Sequence, residues 1–324
     1  MQRPIPSGFG PSTTAAEVLA GIDLSGRQAI VTGGYSGIGV ETVRALRNAG
    51  ARVLVPSRDL DKAARTLDGI DAEVLPMDLT DPASIDAFVQ AFLDRGQPLH
   101  LLINSAGVMA CPLQRDARGY EHQFATNHLG HFQLTARLWP ALKAANGARV
   151  VSLSSRGHHY SPVDFDDIHF ERREYERWIA YGQSKTANSL FAVGLDARGR
   201  EHAVRAFALH PGAIITELAR YLSTDELKAA NALDEHGQPI TDVALGFKNV
   251  QQGAATSVWA ATSAQLDGLG ALYLEDCDIA AFAPEPEKGD AERRVGVRAY
   301  AVDPEQAERL WSISEVQTGV RWSA

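Results

Sequence analysis

Cysteine is nearly absent: Cys111 and Cys277 are the only two in 324 residues, and they stand in neither a CxxC nor a metal-finger spacing. That excludes a disulfide-stapled scaffold and suits a reducing compartment. No run of Lys and Arg occurs, and 31 basic against 40 acidic residues leave a formal net charge of -9, so nothing here tracks a phosphate backbone or an anionic bilayer. Nucleic acid and membrane are therefore not expected as partners. No apolar run approaches the roughly 20 residues of a membrane span, and the opening MQRPIPSGFGPSTTAAEVLAG has no continuous apolar core of the signal-peptide kind. A cytoplasmic protein is the expectation. Internal repeats and low-complexity linkers are also missing, which favours one domain with additions over two.

What is present is an alternation. Short apolar runs at Ala29–Val31, Val53–Val55, Val74–Leu75, Leu99–Ile103, Val150–Leu153, Val204–Leu209 and Ala271–Leu274 are separated by longer stretches of helical period. Short strands that are apolar throughout are buried on both faces. With helices between them they predict an α/β fold of the Rossmann type, a doubly wound parallel sheet of seven strands. The predicted domain covers 27–283. An N-terminal extension, 1–26, holds a short helix capped by Ser12-Thr13-Thr14. Two inserts, about 157–178 and 218–250, are long for ordinary connections, and a charged tail, 284–324, is expected to wrap the surface.

Directly after the first strand stands Thr32-Gly33-Gly34-Tyr35-Ser36-Gly37-Ile38-Gly39, followed by an amphipathic helix. Strand, glycine turn and helix N-terminus together form an anion site, because unpaired N–H groups and the helix dipole face the ligand, here the pyrophosphate of a dinucleotide. Gly33, Gly37 and Gly39 allow the turn and the close approach of backbone to cofactor, and Tyr35, Ser36 and Ile38 belong to the same loop.

The spacing Gly-x-x-x-Gly-x-Gly resembles the short-chain dehydrogenase/reductase family, and further marks follow in order: Asp78 in DLTD, Asn104-Ser105-Ala106-Gly107, Asn127, Ser155, Tyr181-x-x-x-Lys185 and His210-Pro211-Gly212 with Thr216. The resemblance covers about residues 24–283. It implies that Asp78, with Leu79 next to it, binds the adenine end of the cofactor and that Asn104, Ser105, Ala106 and Gly107 lie beside the adenine ribose. It also implies that Pro211, Gly212, Ile214 and Thr216 hold the nicotinamide carboxamide. Ser105 stands where the family more often has Asn.

The second strand ends at Ser57-Arg58, where an NAD site normally presents Asp or Glu to the ribose hydroxyls. With no carboxylate to repel a 2′-phosphate and Arg58 free to bind one, NADP(H) is favoured over NAD(H).

Tyr181 and Lys185 are four residues apart, hence on one face if their segment is helical. A nearby ammonium favours tyrosinate, which makes Tyr181 a tunable proton donor or acceptor while hydride passes to or from the nicotinamide. Ser155, at a strand end, is expected to hold the substrate oxygen, and the resemblance assigns Asn127 a water beside Lys185 through a locally perturbed helix. His128 and His131 are read as structural, with no metal.

The segments TTAAEVLAGIDLSGRQAIVTGG, Asn127–Phe132 and Ser154–His158 resemble the retinol-dehydrogenase-like branch, which implies apolar aldehydes, ketones or their alcohols as small-molecule substrates. Tyr160, Phe165, Leu218 and Leu222 are expected to shape a partly apolar entrance. Reduction of a conjugated C=C bond, epimerisation and a non-catalytic nucleotide sensor are the rival readings. Monomer and homodimer both remain open.

Overall fold

The computed structural model describes residues 2–284 and 295–322. Eight strands form one sheet: β1 Gln28–Thr32, β2 Arg52–Ser57, β3 Glu73–Pro76, β4 Leu101–Asn104, β5 Ala148–Leu153, β6 Val204–His210, β7 Leu272–Glu275 and β8 Asp278–Ile279. Their order is β3-β2-β1-β4-β5-β6-β7-β8, and every pairing is parallel except β7 with β8. All seven strands foreseen from sequence are present. The eighth is an addition, formed by a two-residue hairpin at Asp276-Cys277, whose φ angles of 52° and 59° are both left-handed. Such a turn usually announces itself with Asn-Gly or Asp-Gly, and this one does not.

The α-helices follow as α1 Ala15–Val18, α2 Ile38–Asn48, α3 Leu60–Thr66, α4 Pro82–Leu93, α5 His122–Phe124, α6 Gly130–Arg137, α7 Trp139–Ala144, α8 Arg177–Gly199, α9 Thr224–Ala229, α10 Val250–Thr262 and α11 Pro304–Thr318. Two layers of them cover the sheet. Val31, Val43, Phe207 and Trp259 join α1, α2 and α10 to one face. Ile30, Phe88, Phe132 and Phe191 join α4, α6 and α8 to the other. Strands buried on both sides are what near-continuous apolar runs require.

Three segments beyond this plan behave differently. Thr14 caps α1, with Glu17 returning the bond to the Thr14 backbone, as a capping box does. The insert 157–178 is packed: Val163, Ile168 and Phe170 are buried, and Gln183 of α8 accepts from Asp164 N and donates to the Ile168 carbonyl. The tail, expected on the surface, instead carries α11, whose Trp311 is buried and stacks on Phe191 of α8. Its periodicity is masked by charges on the outer face. Residues 285–294 of that tail lie outside the described residues.

The chain runs outward from β1 to β2 and β3, then returns to place β4 on the other side of β1. Adjacent crossovers therefore diverge above β1 and β4, and a crevice opens at the carboxyl ends of those strands.

Candidate active site

A cavity of about 530 Å³ occupies that crevice. Arg58, Met77 and Asp78 line one end, and Ser155, Trp178, Tyr181 and Lys185 line the other, with the glycine loop and Pro211–Thr216 between them. At Gly33, φ is 66° and a Cβ would come within 2.8 Å of Ala106 Cα, while at Gly39 a Cβ would meet the Gly33 carbonyl at 2.2 Å. The loop can fold on itself, and lie against β4's end, only without these side chains. Gly37 stands at the N-cap of the eleven-residue α2 without a side-chain cap, and although Gly39 N–H turns back to the Ser36 carbonyl, the positive end of the helix faces the cavity that Gly37 and Ile38 line. The residues present therefore fit an extended dinucleotide.

Thr32, the last residue of β1, ties the loop to its neighbours. Its Oγ1 accepts from Ser105 N (2.9 Å) and Ala106 N (3.0 Å) and lies 2.8 Å from His131 Nε2. Because His131 Nδ1 faces the Asn127 carbonyl at 2.9 Å, that nitrogen carries the ring proton and Thr32 donates to Nε2. Burial lowers the His131 pKa to about 4, consistent with a neutral ring. His128 is likewise a packing histidine, bonded through Nε2 to Ser314 of α11. Among the described residues no group of His, Cys, Asp or Glu could hold a metal, and no helix is long and apolar enough to cross a membrane.

Several expected cofactor contacts sit behind the wall rather than on it. Asn104 is buried and donates to Thr135 Oγ1, while Ser105, Ala106 and Gly107 line the cavity. Ser57 is buried, its hydroxyl donating to the Asp59 carbonyl and accepting from Asp59 N. That closed turn projects Arg58 outward, where it is exposed and lines the cavity. One Asp78 oxygen accepts from both the amide and the hydroxyl of Thr80, fixing the carboxylate in the cavity wall. Leu79 is held by Gly130, whose hypothetical Cβ would be 2.3 Å from the Leu79 carbonyl.

At the opposite end, α8 presents Tyr181 and Lys185 a turn apart. Burial pushes the Tyr181 phenol up to about 12, while its hydrogen bond to Ser155 pulls the other way. Burial likewise brings Lys185 down to about 8. Desolvation is the larger influence on the phenol. Lys185 Nζ donates to the Leu153 carbonyl at 3.0 Å and lies 5.7 Å from the Tyr181 ring centre. Ser155 Oγ accepts from Gly157 N, and Ser154, its neighbour in sequence, points elsewhere and donates to the Lys185 carbonyl. The loop that follows Ser155 lies hard against α8, since a Cβ at Gly157 would be 2.6 Å from the Tyr181 ring.

Asn127 occupies a π-helical turn, Ala125–Leu129, between α5 and α6, in which Gly130 N–H reaches back five residues to the Ala125 carbonyl. Its side chain grips Val108: Oδ1 accepts from Val108 N at 2.8 Å, and Nδ2 donates to Val108 O and to Ser184 Oγ, each at 2.9 Å. Of the residues expected at the entrance, Tyr160 and Leu218 line the cavity, as does Trp178, whereas Phe165 lies under the Arg309 guanidinium and Leu222 does not reach it. Sequence reasoning named Thr32 only as the start of the glycine-loop segment, and did not name Val108, Met109 or Lys62. Lys62 was detectable, four residues beyond Arg58 at the start of α3.

Fold, glycine loop and the Ser155–Tyr181–Lys185 grouping are those of a class of oxidoreductases that use nicotinamide dinucleotides. The short-chain dehydrogenase model matches residues 27–227, and the chain belongs to the short-chain dehydrogenase/reductase family. A probable oxidoreductase of Streptomyces antibioticus is 44% identical over 303 residues, spanning 90% of this chain and 97% of the relative. Human retinol dehydrogenase 12 is 37% identical over 308 residues, spanning 93% of this chain and 89% of its own, which places the chain near the retinol-dehydrogenase-like branch. The crystal structure of an uncharacterized protein from Mycobacterium paratuberculosis superposes with a TM-score of 0.72 at 30% identity, covering 97% of this chain and all of that one.

Proposed function

We propose that the protein interconverts a bulky, largely apolar aldehyde or ketone and its alcohol, using NADP(H). What carries the reading is one continuous cavity with Ser155, Tyr181 and Lys185 at one end and Arg58 at the other. NADP(H) supplies or accepts the hydride. Arg58 and the α2 N-terminus hold its phosphates, Asp78 its adenine, and Pro211–Thr216 its nicotinamide. Tyr181, a phenol protonated at neutral pH and kept so by burial, donates to the carbonyl oxygen that Ser155 positions. Lys185 stays charged below about pH 8 and eases formation of the phenolate. Val108, Met109, Tyr160, Trp178, Ile215 and Leu218 supply an apolar wall.

The direct test is a panel of apolar carbonyl compounds of increasing bulk, followed by loss of NADPH absorbance. Turnover of none of them, by folded protein that binds NADPH, would overturn the carbonyl reading.

Cofactor choice is tested at Arg58. A charge-assisted contact to the 2′-phosphate is worth roughly 1.5–3 kcal/mol, or about 10- to 100-fold in affinity. Arg58→Ala is therefore expected to weaken NADPH by that factor and leave NADH nearly unchanged, as read by titration. Equal wild-type affinities for the two would remove the assignment.

Lys185 sets a pH limit. Its pKa is lowered, so the ammonium is present below about pH 8 and lost above it. The kcat of carbonyl reduction should be level up to that pH and fall beyond it; a level profile to pH 10 would separate Lys185 from the proton step.

A further inference from the structure

The segment that follows Pro211–Thr216 does more than close the nicotinamide end. Thr216 caps the short turn Glu217–Ala219 and packs on the glycine loop, where a Cβ at Gly37 would lie 3.1 Å from Thr216 Cβ. This brings Glu217 across the crevice to the opposite bank. One of its carboxylate oxygens accepts from Ser36 Oγ at 3.1 Å and forms an ion pair with Lys62, in the first turn of α3. Both contacts hold the Glu217 carboxyl below the usual carboxylate range, so it is an anion at neutral pH.

Ser36, Arg58, Lys62 and Glu217 all line the same cavity. An ammonium and a hydroxyl converging on one oxygen, in a cavity that an exposed guanidinium also lines, form a receptor for an anion carrying several oxygens. Here a carboxylate of the chain itself sits in it. Beyond Ala219, which is buried, the segment has little to hold it: α9 buries no residue, Arg177 donates to the Tyr221 carbonyl, and its ion pair with Glu226 is a partly exposed contact. Residues 220–230 are thus fastened largely through polar and charged contacts, and Glu217 adds one in the crevice.

We propose that Glu217 is a cofactor-selecting residue: its carboxylate occupies part of the 2′-phosphate subsite and competes with that phosphate for Lys62 and Ser36. This rests on the NADP(H) reading above. A 2′-phosphate carries a charge of about -1.5 to -2, and a carboxylate sharing its partners is repelled. NADPH then displaces Glu217 and loosens 217–230, whereas NADH, with only a ribose hydroxyl there, leaves the Lys62–Glu217 pair in place. Arg58 raises the preference for the phosphorylated cofactor, and Glu217 moderates it, which limits how tightly the oxidised product is retained.

The test uses the full chain, wild type and Glu217→Gln, titrated with adenosine 2′,5′-bisphosphate and with 5′-AMP, so that neither substrate nor turnover is involved. Glutamine keeps the size and can still accept from Ser36 but lacks the charge, and the Glu217 side chain is 59% exposed, so folding is not at risk. An exposed pair is screened, and the expected gain for the bisphosphate is roughly twofold to fivefold, with 5′-AMP unchanged. Hydrogen exchange of 217–230 without ligand should be faster in the variant than in wild type, and the bisphosphate should raise it in wild type only. An unchanged ratio of the two affinities, or an equal gain for both ligands, overturns the proposal. The NADP(H) reading fails separately: wild type would then bind both ligands equally, whatever the variant does.

Discussion

Tyr181→Phe is expected to lower kcat for carbonyl reduction by roughly 10²–10⁴-fold, the usual contribution of a positioned general acid. The substitution removes one oxygen and keeps the ring. That ring is 3% exposed, lies against Gly157 and meets Trp178 edge to face, so the packing that places α8 survives. Arg58, the glycine loop and Asp78 lie along other parts of the cavity, and NADPH affinity should stay within about twofold, since substitutions away from a contact are usually worth under 0.5 kcal/mol. The measurement is a pair: steady-state kcat and NADPH titration on the same preparation. Wild-type kcat in the variant would remove Tyr181 from the chemistry. A loss of rate that tracked a loss of NADPH binding would make it a structural residue instead.

The parts of the molecule that were legible in sequence share a physical feature: they are dictated locally. A strand buried on both faces must be apolar along its length, so the parallel strands inside the sheet showed as apolar runs, while the edge strand β3, only partly buried, showed as the short pair Val74-Leu75. The glycine loop was legible because Gly39 has no room for a Cβ beside the Gly33 carbonyl. Tyr181 and Lys185 were legible because helical spacing alone brings them to one face. The resemblance to short-chain dehydrogenases added Asn127 and Asp78, whose residue types alone point to no role.

What escaped depends on contacts distant in sequence. Nothing near Trp311 states that α11 will lie on α8, where Gly194 leaves room for its ring. The insert 157–178 is rich in charge and was expected as an entrance segment, yet its aliphatic and aromatic residues pack against α8 and α11; only its two ends, at Tyr160 and Trp178, reach the cavity. Asn104 and Ser57 adjoin residues that do line the cavity, but strand alternation and a closed turn direct their side chains inward. Glu217 is 155 residues from Lys62, and no local pattern pairs them.

Asn127 shows how a residue of the expected importance can act by a different route. The resemblance implied a perturbed helix that keeps a water beside Lys185, and the perturbation is present as the π turn. The side chain itself, however, bonds both backbone groups of Val108, a residue 3% exposed, and thereby fixes Gly107-Val108 as a wall of the cavity next to Lys185. A hypothetical Cβ on Gly107 would be 3.0 Å from Asn127 Oδ1 and 3.6 Å from Lys185 Nζ, so the amide and the ammonium both lie close against this stretch of wall. Asn127→Ala leaves a buried N–H and a buried C=O without partners, each costing about 1–3 kcal/mol, for a total of roughly 2–6 kcal/mol. For a chain of this size that lowers Tm by roughly 5–10 °C. The rate should fall as well, because the wall beside Lys185 is no longer fixed. Asn127→Asp separates the contributions: its oxygen still accepts from Val108 N, but it loses the donor to Val108 O and sets a carboxylate near the Lys185 ammonium. That charge should move the pH at which reduction declines to a higher value, since a neighbouring anion favours the ammonium. Thermal unfolding and a pH profile of kcat on the two variants decide the matter. If Asn127→Ala loses activity at an unchanged Tm, the residue acts through solvent alone, and the bonds to Val108 contribute nothing to holding the wall.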